Sequence, residues 1–305
     1  MPVPAPEYLQ NPLPLLKKIR DELYLNLTSC SLCPNHCQIN RTDGKLGICK
    51  APNHLLIGSF AVHNGEEPPL SGTRGSGTVF YSYCTLSCIY CQNYPLSQLH
   101  HGKKYSTEEL AQIFLDLQEK GCHNINWVSP TQFLPFILDA LLMAREQGLK
   151  IPIVYNSSGW ESEWIVKHLR YFVDIFLPDS RYSSDQTAYA YSKAGSYVDR
   201  NKKVLKLMYQ FQPKAFFEDD VMVKGMIIRV LILPGHHKES IQVLRNLKET
   251  LGTDIHISLM SQYFPCYLAL DHSPLDRKIS SLEYDEVVME MEKLGFTLGW
   301  AQDLE

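Results

Sequence analysis

From residue 77 onward the sequence alternates short β-branched runs with segments long enough to hold a helix. The runs are Gly77–Tyr83, Asn124–Ser129, Ile151–Asn156, Val173–Leu177, Gly225–Leu233 and Ile255–Met260. Parallel strands need a crossover between them, so six strand-helix repeats predict a parallel sheet. Right-handed crossovers roll such a sheet towards a barrel, and a full eight-stranded barrel takes roughly 250 residues. The span available is shorter, which predicts an α/β chain with a partial (β/α)6, TIM-like barrel. Within it, Ser106-Thr107-Glu108-Glu109 has the hydroxyl-then-Glu spacing of a capping box and marks a helix start. Residues 1–75 are instead turn-rich, cysteine-rich and poor in long periodic segments. The expected organisation is a cysteine-rich, metal-binding N-terminal extension over 1–75 and a barrel core with a C-terminal helix over 76–305.

The first strand runs directly into Cys84-Thr85-Leu86-Ser87-Cys88-Ile89-Tyr90-Cys91. Three thiols spaced C-x3-C-x2-C leave a cubane iron-sulfur cluster one ligand short, and its open iron can bind a small molecule. Structural zinc favours paired knuckles with four ligands and fits this triplet poorly. A second group, Cys30, Cys33, Cys37 and Cys49, has enough thiols for either a tetrahedral zinc site or a complete auxiliary iron-sulfur cluster, and His36 offers a substitute ligand. Spacing leaves that choice open. Cys122 and Cys266 belong to neither group and read as small buried hydrophobes.

Nine cysteines gathered at metal-ligand spacings do not form a secreted disulfide framework, so the expected compartment is a reducing cytoplasm. The formal charge of −4 gives no general attraction to nucleic acid or to an anionic membrane. The start Met1-Pro2-Val3-Pro4-Ala5-Pro6 lacks the basic and apolar regions of a secretory signal. The longest apolar stretch, Phe133 to Ala144, is too short to span a bilayer.

The cysteine triplet resembles the signature of the radical SAM superfamily. That resemblance implies a partial barrel whose site lies at the carboxyl ends of the strands. It also implies a [4Fe-4S] cluster on Cys84, Cys88 and Cys91 and S-adenosylmethionine on the open iron. Reductive cleavage would give a 5′-deoxyadenosyl radical that abstracts hydrogen, with an electron donor such as flavodoxin or ferredoxin. Tyr90 is similar to the residue whose ring packs beside the cofactor adenine. A longer match, from about Cys30 to Gly299, resembles the branch related to pyruvate formate-lyase activating enzymes. It rests on the amino-terminal cysteines, Glu66-Glu67-Pro68, Cys91-Gln92-Asn93 and Leu259-Met260-Ser261-Gln262-Tyr263.

Glycyl-radical activation of a partner protein is the activity implied by that branch, with radical modification of a peptide, nucleoside or metabolite as the alternative. A zinc-stabilised, non-redox binding module is the reading outside this chemistry. The activases' Gly-Gly-Glu stretch is replaced by Trp127-Val128-Ser129-Pro130-Thr131-Gln132, where Ser129, Thr131 or Gln132 would take over the methionyl contacts. Asn156-Ser157-Ser158-Gly159 is similar to the activases' Asn-Thr-Asn-Gly and offers Asn156 and Ser157 to the cofactor, or forms an ordinary turn. Arg229 is a cation in an apolar strand and needs an anionic partner, either a cofactor carboxylate or a carboxylate on a neighbouring strand. Asp179 is a substrate-orienting residue or an N-cap, while His256 and Gln262 are pocket candidates beside the last strand. No residue is assigned as the catalytic acid, base or nucleophile.

Overall fold

The computed structural model describes residues 4–304, so the leader reading at Met1–Val3 lies outside it. Ten strands form the sheet: β1 (Leu56–His63), β2 (Ser76–Tyr81), β3 (Lys103–Lys104), β4 (Ile125–Val128), β5 (Ile153–Ser157), β6 (Ile175–Pro178), β7 (Phe216–Glu218), β8 (Val221–Leu231), β9 (His256–Met260) and β10 (Gly299–Ala301). Their order is β10-β9-β8-β6-β5-β4-β2-β1-β3, with β7 paired to β8. The six expected strands, β2, β4, β5, β6, β8 and β9, run parallel in chain order. The sheet is open, ending at β3 on one side and β10 on the other.

Crossover helices follow from local signals. Ser106 caps the helix Thr107–Glu119 with a full capping box, as its spacing predicts. The helix Leu134–Glu146 is apolar nearly all round because it packs on both the helix Leu13–Asn26 and the helix Thr107–Glu119. No helix among the described residues is long and apolar enough to cross a membrane.

Strand alternation divides the interior into two layers. Val79, Trp127, Tyr155, Phe176, Ile228 and Leu259 face the helices and join the main core. Val154, Ile175, Leu177 and Ile227 face the lumen, where Leu70 from the short helix Pro68–Ser71 packs among them. The extension contributes to the same body, since β1 pairs antiparallel with β2 and Leu16, Ile19 and Leu23 enter the main core.

Candidate active site

The carboxyl ends of the parallel strands open into a cavity of about 360 Å³. Cys84, Cys88 and Cys91 line it, together with Ser129 after β4, Asn156 and Ser157 from β5, Asp179 after β6, Arg229 from β8 and Met260 from β9. Two backbone turns shape the rim. Tyr83 and Ser129 stand at φ 63° and 52°, in the left-handed region that costs a non-glycine residue energy. A single side chain holds both turns. Gln132 Nε2 donates to Ser82 O at 2.9 Å, Tyr83 O at 3.2 Å and Ser129 O at 2.8 Å.

Each thiol in the triplet has an N–H or O–H neighbour. Arg181 Nη1 donates to Cys88 Sγ at 3.2 Å and Ser192 Oγ donates to it at 2.9 Å. Cys91 Sγ pairs with Ser97 Oγ at 3.1 Å, and Leu86 N–H donates to Cys84 Sγ at 3.5 Å. Burial pushes the Cys84 thiol up to about 12 and Cys91 to about 11. Thiolates at these positions therefore need a bound cation to offset their desolvation. Three soft donors with hydrogen-bonded sulfurs, opening on one cavity, fit an iron-sulfur cluster. Among the described residues, no three His, Cys, Asp or Glu side chains are drawn tightly enough together to close on a single ion.

Charge is concentrated on the opposite wall. Asp179 Oδ1 accepts from Arg229 Nε at 2.8 Å, while its Oδ2 accepts from Arg181 Nε at 3.0 Å. Burial alone would raise the Asp179 carboxyl, but the two guanidinium charges hold it below its usual range. Arg229 Nη2 also donates to Asn156 Oδ1 at 2.7 Å. The loop after β5 passes so close that a Cβ on Gly159 would stand 2.1 Å from Asp179 O. Glu67 reaches into the same cavity from the extension, its Oε2 accepting from Ser258 Oγ at 3.0 Å. Glu67 is buried, which raises its carboxyl against the pull of Arg229.

The fold separates the sequence candidates. Ser129, Asn156, Ser157, Arg229 and Gln262 line the cavity with the triplet. Tyr90 borders a smaller adjoining cavity, its ring 6.1 Å from that of Tyr263 and its hydroxyl bonded to Tyr182. Thr131 requires correction. After the Ser129 turn it points away from the mouth, and its Oγ1 bonds Tyr155 OH and the buried Glu161 Oε2, each at 2.9 Å. Gln132 is a brace and does not line the cavity. His256 lies at the amino end of β9, far from the mouth. Asp179 is neither N-cap nor free, because its two oxygens serve arginines. Arg181 escaped sequence reasoning, although its place two residues past a strand-end aspartate was a usable signal. Cys122 is core, whereas Cys266 is half-buried with its Sγ on Tyr90 O.

The family model of the radical SAM superfamily matches residues 78–247, more than half of the chain. The chain belongs to the radical SAM superfamily. An uncharacterized protein of Methanocaldococcus jannaschii is 26% identical over 305 residues, spanning 96% of this chain and 82% of its own. A second protein of that organism is 25% identical over 148 residues, or 43% of this chain and 44% of its own. Among solved structures, HydG, a maturase of the [FeFe]-hydrogenase, superposes with a TM-score of 0.52 at 16% identity, covering 77% of this chain and 53% of HydG. That likeness bears on the fold, the open α/β barrel of the superfamily. The chain spans about half the length of several solved structures it matches.

Proposed function

We propose that the chain is a radical SAM oxidoreductase in which Cys84, Cys88 and Cys91 hold a [4Fe-4S] cluster and the adjoining cavity takes S-adenosylmethionine. The observation that carries the reading is the opening of all three thiols onto the one cavity that also gathers Arg181, Arg229, Asp179, Asn156 and Glu67. When bound, the cluster and S-adenosylmethionine supply a one-electron reductive cleavage whose carbon radical takes hydrogen from a substrate.

The chain's own residues do the rest. Arg181 and Ser192 direct hydrogen bonds at Cys88 Sγ, which lowers the electron density on that sulfur. Asp179 fixes Arg229 and Arg181 in the wall of the cavity, where their charge would draw a carboxylate. Glu67 offers a carboxylate oxygen to an ammonium group, and Asn156 is held by Arg229 at the rim. A low-potential donor of the flavodoxin or ferredoxin class supplies the electron. The substrate class proposed is a protein or peptide, with glycyl-radical activation as the specific form, because the cavity opens at the barrel mouth beside exposed Phe264. We also propose residues 1–75 as a metal-binding unit distinct in role from 76–305. Membership of the superfamily favours this chemistry over a zinc-stabilised binding module.

The test is anaerobic reconstitution followed by EPR of the dithionite-reduced protein, with and without S-adenosylmethionine. The expected result is a [4Fe-4S]+ signal that shifts on adding the cofactor, disappears in Cys84→Ala/Cys88→Ala/Cys91→Ala, and is accompanied by 5′-deoxyadenosine formation. A wild-type signal indifferent to S-adenosylmethionine overturns the reading.

A further inference from the structure

Four thiols outside the cavity are brought together by the fold, although eleven residues separate Cys49 from Cys37. Gln38 N–H donates to Cys30 O and Cys30 N–H to Ile39 O, both at 2.9 Å, folding the segment back on itself. A backbone N–H group is aimed at the Cys37 sulfur. Ile48 N–H donates to Cys37 Sγ at 3.3 Å, which brings the stretch next to Cys49 back onto the first three cysteines. Core thiols packed as small hydrophobes have no need of such donors, whereas ligating thiolates do.

Three cysteines in eight residues followed by one remote partner is a grouping that iron-sulfur clusters take.

We propose that Cys30, Cys33, Cys37 and Cys49 ligate a second iron-sulfur cluster, closed by four thiolates, that braces the loop carrying the catalytic triplet. Full thiolate ligation leaves no iron open to a small molecule. The brace is visible on both sides of Cys84. Asn35 Nδ2 donates to Thr85 O at 3.0 Å. The buried Arg41 donates through Nη1 to Gln132 O at 2.8 Å and through Nη2 to Pro52 O at 2.6 Å, and Gln132 in turn holds Ser82 O and Tyr83 O. The cluster thus fixes the hairpin from which Asn35 and Arg41 reach the triplet.

The experiment counts iron and acid-labile sulfide in the anaerobically reconstituted, chelator-washed full chain. About eight irons per chain are expected in the wild type, and about four in Cys84→Ala/Cys88→Ala/Cys91→Ala, with a reduced EPR signal that S-adenosylmethionine does not shift. Cys30→Ala/Cys33→Ala is expected to lose about four irons and keep the responsive signal. About four irons in the wild type, or a triplet variant that carries zinc without iron or neither metal, overturns the proposal. The wild-type count needs no substitution, so a variant that misfolds does not decide the matter. If the wild-type signal ignores S-adenosylmethionine while the triplet variant keeps about four irons, the catalytic assignment fails and this one stands.

Discussion

Asp179 is the residue on which the charged wall depends, because its two oxygens divide the guanidinium groups of Arg181 and Arg229. Asp179→Asn leaves two buried cations sharing a neutral partner. Removing one member of a buried ion pair costs about 3–5 kcal/mol, so urea denaturation is expected to show a loss near the lower end of that range, with S-adenosylmethionine binding weakened at least tenfold. Asp174 tests a different balance. Burial, followed by the charge of nearby Glu7, pushes its carboxyl up to about 8, against N–H donors from Ile153 and Glu7 and the charge of Lys224. A carboxyl raised in the folded state binds its proton more tightly there than in the unfolded chain. Its contribution is therefore complete below the unfolded pKa near 4 and is lost as pH rises through about 8. Thermal melts are expected to show stability declining across that window. Asp174→Asn is expected to flatten the decline while lowering the acid-side value, since its amide N–H2 cannot accept from both backbone donors.

Between strands, the Gln132 amide is the joint. It connects the ends of β2 and β4, two turns in the left-handed region that the surrounding structure must enforce. Gln132→Leu strands three carbonyls at the rim and is expected to cost about 3 kcal/mol. Far-UV CD is expected to stay unchanged while iron retention during gel filtration falls. The capping box at Ser106, the six parallel strands and the triplet at the end of β2 were legible in the sequence because each is written in neighbouring residues. Arg229 announced that it needed a carboxylate but not whether a strand or a cofactor supplied it, and Asp179 answers from fifty residues away. Thr131 was misplaced because the turn at Ser129 reverses which face the following side chains take. Nothing local marks Glu67 as buried, and only the packing of Pro68–Ser71 under the barrel draws it inward. Strand β1 was hidden for the same reason, as its partner is chosen by tertiary packing.

At the scale of the molecule, an open barrel must close its lumen with something other than strands. Leu70 does so at the floor, fully buried among Val154, Ile175, Met222 and Ile227. Leu70→Ala leaves a cavity there and is expected to cost about 2–5 kcal/mol in chemical denaturation, with little change in the iron content. The pairing of β1 with β2 has a further consequence for anyone cutting the chain at residue 75. The extension supplies the barrel's side wall, so a fragment of residues 76–304 would present β2 as a bare edge, with unpaired N–H and C=O groups along Ser76–Tyr81. Such edges template pairing with other chains. Size-exclusion chromatography is expected to find that fragment self-associated where the full chain is not, which makes the cysteine-rich segment the molecule's own guard against polymerisation.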